Sequence, residues 1–540
     1  MPGRWGRVPL RLAAARRRVL LEPSAVGAWA ATGHSPARRL ARALLGVLHR
    51  VRPARAWLYR GEPARALAAL GPVAATGSPA DRRDRARAAW ALGARGSALP
   101  GLREDDRVRR ALAERLAADS RPVPPRPAAP GRPRPVVPRP ATRPRVLHLV
   151  VNSLPHSSAG YALRTQAVLR AQQAHGLHAE AVTGFMYPWT VLRDCAGDET
   201  VDGVRYHRLL PSARPRDDAA READRRRLLD RLVRELRPDV LHAHSPFQVG
   251  LDALEVAAEH DLPVVYEVRG LLHETWAQRI GPDAVATERY RLEQQQEAAV
   301  VTGADAVVTL GRAMAAHLVG LGARTTPTVV ANAVDASLLT DRPDVARARR
   351  QVGLEPAGLV VGSVSSLVAY EGFDVLLRAA AELAGRGTAV TVVLVGDGDA
   401  AGPLRRLADD LPGVQVVMPG RLPHAQALTW LAALDVVAVP RLDVDVCRLV
   451  SPLKPVEAMA LGKPVVLSDL PALRELVDDG TDGLLVRPED PVALADALQS
   501  LLPPDRRADL GTAAAERVRR GRTWAATTEA YLRVYEDVIR

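Results

Sequence analysis

The stretch PLKPVEAMALGKPVVLSDLPALRELVDDGTDGLLVRPED, residues 452–490, sets a helical segment beside two short apolar runs, PVVLSD and GLLVRP. Runs of that length bounded by Gly, Pro and Asp read as strands of the buried type. The same stretch holds Lys454 and Lys463, the only lysines among 74 lysines plus arginines, on either side of Glu457. Arginine offers a wide planar fork and lysine a compact ammonium on a flexible stem, so a pocket shaped for one does not suit the other. The pattern predicts a site for something anionic in this stretch.

Similar apolar runs recur upstream as GLVVGSVSS, TVVLVGDG, VQVVMPG and DVVAVP, and earlier still as RVLHLVV, DVLHAHS, PVVYEV, AVVTL and TVVAN. Helical segments separate them, which reads as β–α alternation around parallel sheets. The series begins at Arg145 and begins again after residue 336. The expected fold class is α/β, with two doubly wound, Rossmann-like domains at 145–335 and 336–515. A last helix at 516–540 is expected to pack back on the first domain. Ligands of such sheets bind beyond the carboxyl ends of the strands, so a cleft between the halves is the expected site.

Ahead of this body, residues 1–118 are rich in Ala, Arg and Leu with helical periodicity, and residues 119–144 form a Pro/Arg linker with too many prolines for helix or sheet. Residues 1–144 hold 30 arginines against nine acidic residues, and the remainder holds 44 basic and 52 acidic ones. The net charge of +13 therefore belongs to the basic, helical N-terminal extension. An anionic membrane surface is its expected partner. No aromatic-interleaved basic stretch points to nucleic acid, which is not expected. A polyproline II spacer of about 25 residues could hold the extension up to about 75 Å from the body.

Hydrophobic content of 47% and charged content of 25% are those of a soluble globular chain. Cys195 and Cys447 are far apart and give no disulfide framework, and no CxxC or Cys/His cluster suggests a metal. A reducing cytoplasm is the expected compartment. No uncharged apolar run of about 18 residues reads as a membrane span. The arginine-rich start lacks the apolar core of a secretory signal.

Taken together, these pieces resemble the GT-B retaining glycosyltransferases of glycosyltransferase family 4 over residues 145–540. Residues 452–490 carry the most specific likeness, to the family's donor-site strip, in which a Glu opens a helix and Gly-x-Pro-Val-Val leads into the next strand. The resemblance implies that Glu457 binds the donor ribose. An ionised carboxylate only accepts hydrogen bonds, which suits a pair of neighbouring hydroxyls. Two departures from the family pattern stand out. Its E-x7-E motif places a first Glu, the one that contacts the transferred sugar, where this chain has Leu449. Its Arg and Lys that clamp the diphosphate are replaced by Ser366 and Glu371 of SSLVAYEG.

PRLDVDVCRLVSPLKPVEAMA, residues 440–460, resembles a family subgroup with PR, RLV and PLKPLE blocks. That likeness implies a clamp moved onto Arg441, Arg448 and Lys454, beside Ser451, Pro452 and Leu453. Lys454 is the expected phosphate counter-charge and leaving-group stabiliser, whereas Lys463 in the GKPVV turn is expected to cap a helix end. Gly396 of VGDGD and Arg421 of PGRLPH complete the donor side, the latter where the family's main chain meets the nucleotide base.

The first half supplies the acceptor side. LPHSSAGYALRTQAVLRAQ, residues 154–172, resembles the family's first Gly-rich loop, with Gly160 for close backbone approach and Tyr161, Arg164 and Thr165 opening a helix. VLHAHSP ends a strand with His242 and His244; the family has a His there near the donor sugar, and His244, further toward the cleft, is the catalytic candidate. YEVRG brings Glu267 and Arg269 to the next strand end, where they contact substrate or pair with each other. Asn332 of VVANAVD falls near the interdomain junction.

The expected function is that of a retaining hexosyltransferase in cell-envelope glycan biosynthesis. It would move sugar from a nucleotide-diphosphate donor, expected to be UDP-linked, to a glycan, lipid-linked or small-molecule acceptor, with no cofactor and no metal. The expected place is the cytoplasm, peripheral at the inner face of the membrane. Two other readings compete. One is a nucleotide-sugar-binding scaffold impaired in catalysis by Leu449 and the lost clamp, and the other is a GT-B epimerase, which needs no acceptor.

Overall fold

The computed structural model describes residues 79–99, 106–123 and 143–540 apart from 214 and 357, together with residues 58, 64, 66, 70 and 102. Most of the expected Ala/Arg-rich extension and of the Pro/Arg linker lies outside the described residues. The first sheet comprises β1 (Arg145–Val150), β2 (His178–Thr183), β3 (Glu199–Val201), β4 (Val204–Arg208), β5 (Val240–His244), β6 (Val264–Val268), β7 (Ala306–Thr309) and β8 (Thr328–Val329). Their spatial order is β3-β4-β2-β1-β5-β6-β7-β8, parallel except for the antiparallel β3–β4 edge. The second sheet comprises β9 (Leu359–Val364), β10 (Val390–Val395), β11 (Val414–Gly420), β12 (Val436–Val439), β13 (Val465–Ser468) and β14 (Leu484–Val486). Its order is β11-β10-β9-β12-β13-β14. These are two doubly wound, Rossmann-like domains, the arrangement that the sequence resemblance implies.

Strands β5, β6, β9 and β10 are buried along their whole length, as near-continuous apolar runs require when helices cover both faces. In each sheet the strand order reverses once, between β1 and β5 and between β9 and β12. Ligands of doubly wound sheets bind at the carboxyl ends of such pairs. The segments after β1, β5 and β6 and those after β9 and β12 are thereby placed to build a site.

The connecting helices include α1 (Pro79–Ala91), α2 (Arg107–Asp119), α3 (Gly160–Ala174), α4 (Asp218–Leu236), α5 (Phe247–His260), α6 (Leu272–Ile280), α7 (Glu288–Gly303) and α8 (Arg312–Gly320). In the second domain they include α9 (His424–Ala433), α10 (Asp445–Leu449), α11 (Lys454–Ala460) and α12 (Pro504–Gly521), and α13 (Trp524–Ile539) ends the chain. Because α12 runs through Gly521, the helix that returns to the first domain begins at Trp524 and not at residue 516. It buries Trp524, Tyr531 and Tyr535 with Val146, Val240, Val265 and Val308 on one face of the first sheet. Each such aromatic contributes about 2 kcal/mol by leaving water. The two interdomain crossings pair: Val334 N–H donates to Arg522 O (2.9 Å) and Trp524 N–H to Val334 O (3.1 Å).

The described residues within 79–99 and 106–123 touch the first domain, so this part of the extension is not held away from it. Arg289 N–H donates to Gly93 O at 2.8 Å, and Glu288 accepts from Arg95 N–H. Gly93 has φ of +106°, and a Cβ there would stand 2.6 Å from Thr287 and 2.7 Å from Trp276. Arg121 ties the far end down, reaching Glu222 (2.9 Å), Asp252 (2.9 Å) and Glu255 (3.3 Å) on α4 and α5. Proline content describes the linker's own backbone and says nothing of what its ends bind. No helix among the described residues is long and apolar enough to cross a membrane.

Candidate active site

Parallel register builds the first wall. β1 pairs with β5 so that His148 stands beside His242, and β5 pairs with β6 so that His244 stands beside Glu267. Alternation along the strand puts His242 and His244 on one face. The three imidazoles cluster, with His242 and His244 stacked at 4.4 Å between centroids and His148 tilted against His242 at 4.7 Å. His148 Nε2 meets Gln172 Oε1 at 2.9 Å and its Nδ1 meets His244 Nε2 at 2.9 Å. Burial, together with the neighbouring His242, holds His148 well below the usual imidazole range. Burial, Arg269 and His242 do the same to His244. Both rings are therefore neutral. With the His148 Nε2–H donating to Gln172, its Nδ1 accepts from His244, and His244 Nδ1 is left as a bare acceptor, 3.6 Å from Glu267 Oε2.

Glu267 is fully buried. Burial alone would raise its carboxyl, but the Arg269 and Arg164 guanidiniums hold it well below the usual carboxylate range. Arg269 Nε reaches its Oε1 at 2.8 Å, Arg164 Nε and Nη2 reach the same oxygen at 3.2 and 3.1 Å, and Tyr531 donates to Oε2 at 2.8 Å. Glu267 and Arg269 thus pair with each other. Arg164 also donates to Asn332 Oδ1 (3.0 Å) and to the Ala331 and Val330 carbonyls (3.1 and 2.9 Å). Its guanidinium is occupied by protein acceptors and clamps the interdomain crossing, so it is not the acceptor-side ligand expected from the sequence. One ring nitrogen from each histidine lies within 4.8 Å of the others. Two guanidiniums against a single carboxylate nevertheless make the cluster a poor host for a divalent cation.

Tyr161 opens α3 and is half-exposed, and its carbonyl accepts from Arg269 Nη1 at 3.3 Å. A Cβ at Gly160 would meet nothing within 4 Å, so no protein atom demands glycine there. By contrast, a Cβ at Gly396 (φ +151°) would stand 1.8 Å from Ser365 O, which makes that glycine structural.

The second wall centres on Glu457, buried in the first turn of α11. Lys454 Nζ donates to its Oε2 at 2.8 Å, and His424 Nε2 stands 3.9 Å from its Oε1. Leu453 precedes α11 and packs partly buried on the first domain's aromatic cluster. Ser451 is buried and its carbonyl accepts from Asn332 Nδ2 at 2.9 Å, while Pro452 carries the chain on to α11. Arg421 is exposed in the turn after β11.

The expected three-cation clamp does not assemble. Arg441 is buried and gripped by Glu371, at 2.7 and 3.2 Å, and its Nη1 donates to Val450 O at 2.8 Å. Burial would lower its pKa, but the Glu371 carboxylate raises it, and the charges of the two balance. Arg448 is half-exposed and binds Asp443 (2.6 Å) and Asp445 (3.2 Å) at the surface. Of the three, Lys454 alone pairs with Glu457. Ser366 is exposed in the segment after β9. Leu449 packs with Val450 on the first domain's core, so the position of the family's first Glu serves here as an apolar interdomain contact.

Three features escaped sequence reasoning. His148 was visible only as a polar residue inside an apolar strand. Tyr531 and Tyr535, one helical turn apart, give a stripe on a helix whose partner is not legible. Glu475 of the second domain accepts from Arg312 N–H and Ala313 N–H at 2.7 Å each, capping α8 of the first.

Comparison with known proteins bears on this arrangement. Residues 357–503 match the family model described as glycosyl transferases group 1, and residues 159–333 match a glycosyl transferase 4-like domain. A D-inositol 3-phosphate glycosyltransferase of Frankia alni is 32% identical over 317 residues, covering 56% of this chain and 74% of that relative. A phosphatidyl-myo-inositol mannosyltransferase of Mycolicibacterium smegmatis is 37% identical over 169 residues, covering 31% of this chain and 42% of that one. Among solved structures, a sucrose-phosphate synthase from Thermosynechococcus elongatus superposes with a TM-score of 0.59 at 21% identity, covering 73% of this chain and 98% of its own. Anabaena HepE in complex with UDP and glucose gives 0.58 at 19% identity, covering 73% and 100%. At those identities the structures speak for the fold.

Proposed function

The chain belongs to the group 1 glycosyltransferases, and from that premise we propose that it is a retaining hexosyltransferase that uses a nucleotide-sugar donor, UDP-linked. The observation that carries the reading is the buried Glu457 carboxylate, at the carboxyl-end crevice of the second sheet, with Lys454 on one oxygen and His424 near the other. Donor arrival exchanges partners: Glu457 accepts from the ribose hydroxyls, and Lys454 swings to the diphosphate. A cation beside the departing diphosphate stabilises charge that grows in the transition state, commonly the largest single contribution to such catalysis. Gly396 and Arg421 border the nucleotide, with Ser451, Pro452 and Leu453 forming the floor beneath the diphosphate.

In this reading His244 stands at the strand end on the sugar side, and Tyr161 and Arg269 border the acceptor, which attacks from the face the diphosphate leaves. The acceptor is a glycan, a lipid-linked species or a small molecule. The enzyme works in the cytoplasm, where basic residues 1–144 meet an anionic membrane. A second reading, a nucleotide-sugar-binding scaffold, has the neutralised Arg441–Glu371 pair and Leu449 in its favour. A thermal-shift panel of nucleotide sugars, followed by nucleotide release and NMR of the product anomer, separates the two. Stabilisation by a donor without turnover supports the scaffold, and an inverted anomer excludes retention.

A further inference from the structure

The loop that leads from β1 to α3 is fastened at its start to the β3–β4 edge. Arg208, at the end of β4, donates from Nη1 to Ser153 Oγ (2.7 Å) and from Nη2 to Leu154 O (3.1 Å), and Tyr187 Oη donates to Ser153 O (2.9 Å). Further along the same loop, His156 Nε2 stands 3.0 and 2.9 Å from the two carboxylate oxygens of Glu199 on β3. Cys195 reaches the same place from the segment before β3, where its buried thiol donates to Gly197 O at 2.9 Å. It belongs to no disulfide. His156 Nε2, Cys195 Sγ and a carboxylate oxygen of Glu199 all lie within 4.8 Å of one another. Neither the donor side nor the acceptor side makes use of these three residues.

A thiolate, an imidazole and a carboxylate suit zinc, whereas magnesium and calcium take oxygen ligands. A tetrahedral zinc with bonds of about 2.0–2.3 Å has ligand–ligand edges of about 3.3–3.6 Å. The His156–Glu199 edge is already shorter than that, and Sγ, within 4.8 Å of both, has at most about 1.3 Å to close. Glu267 is saturated by two guanidiniums, but Glu199 meets one among the described residues, on Oε2 alone, at 2.7 and 3.0 Å. A donor in that place orients a ligating carboxylate from outside and leaves its Oε1 for the metal.

We propose that His156, Cys195 and Glu199 bind a zinc ion, with water as the fourth ligand. His156 and Glu199 are half-buried, so solvent reaches the site. On binding, the Cys195 proton passes to solvent, and His156 carries its proton on Nδ1 so that Nε2 ligates. Thiolate and carboxylate then meet the dication with two negative charges. The ion ties the β1–α3 loop, which ends at Gly160 and Tyr161, to the β3–β4 edge. Its role is structural and independent of which donor the cleft takes. Spacing could not show the site, because Glu199 lies 43 residues beyond His156 and outside any compact ligand motif.

Cobalt titration of the full-length, untagged, metal-stripped protein tests it. Cobalt substitutes for zinc and reports its ligands: a thiolate gives a charge-transfer band in the near ultraviolet, and tetrahedral coordination gives intense visible bands. One equivalent should bind with both signatures, and added zinc should bleach them. Cys195→Ser should abolish the charge-transfer band, whereas Cys447→Ser, in the second domain, should keep it. His156→Gln should weaken cobalt binding at least as much as loss of an outer-shell partner does, about 10–100-fold. This loop variant keeps the thiol and remains decisive if Cys195→Ser melts early. No band in the wild type, a band that survives Cys195→Ser, or an affinity that falls less than that in His156→Gln overturns the inference. Loss of the band in Cys447→Ser places the thiolate elsewhere and overturns it as well.

Discussion

Replacing Lys463 by Met should change stability in a pH-dependent way that the structure sets. The ammonium is buried and donates to Ala432 O at 2.6 Å and Leu434 O at 2.8 Å, capping the carboxyl end of α9. Burial brings its pKa from the usual 10.5 down to about 8, despite the favourable charge of Asp435. For a base lowered on folding the sign is fixed. Below pH 8 both states hold the proton. Between the two values the unfolded chain binds it and the native state does not, so stability rises with pH. By pH 9.5 that gain reaches about 2 kcal/mol relative to pH 7. In the Met variant this gain is absent, and each capped carbonyl left without a donor costs about 1–3 kcal/mol, offset in part by relief of the buried charge. Urea unfolding followed by tryptophan fluorescence at pH 7 and pH 9.5 measures it. The wild-type advantage should grow by about 2 kcal/mol between the two. A difference that stays constant refutes the buried-ammonium account.

Glu457→Ala should weaken nucleotide-sugar binding by about tenfold or more, the loss of hydrogen bonds to a charged group, as read by calorimetry. Lys454→Arg should lower turnover strongly; a variant that turns over normally would remove the need for a mobile ammonium. Glu475→Ala should lower the melting temperature by the loss of a helix cap, about 1 kcal/mol, while domain-specific proteolysis near residue 334 accelerates. A chain starting at residue 140 should melt earlier, because Glu222, Asp252 and Glu255 lose Arg121. It should also fail to co-sediment with anionic vesicles that retain the full-length protein at low salt. Equal sedimentation of both would place any membrane contact on the body.

Strands β1 and β5–β14 were legible as short apolar runs, and the helices between them fixed the parallel sense, whereas β2, β3 and β4 (HAEAVT, ETV and VRYHR) carry too many polar residues to stand out. Glu457 was legible from its motif. The pairings were not. Glu371 reads in sequence as a repulsive charge and Arg441 as a free clamp, yet β9 and β12 are neighbours at the strand-order reversal, and their following segments bring the two together. His244 was visible, but its tautomer depends on His148 and Gln172, which the register of β1 with β5 and the placement of α3 deliver. Arg164 read as a ligand because its loop did. Its true partners, Tyr531 and the crossing at Val330–Asn332, lie far along the chain.

Those pairings also account for lysine at position 454. With Arg441 balanced by Glu371 and Arg448 turned to surface acids, the mobile positive charge beside Glu457 is Lys454. Its ammonium takes only Oε2 of Glu457, at 2.8 Å, and leaves Oε1 with His424 Nε2 at 3.9 Å. An arginine in that place would engage both oxygens with its planar fork, a geometry that is strong and slow to give up. The carboxylate would then have no oxygen for the ribose, and the cation would not follow the diphosphate. A point charge on a flexible stem permits the exchange, so Lys454 and Lys463 persist for different reasons: one because it must move, the other because its slot admits a single buried ammonium.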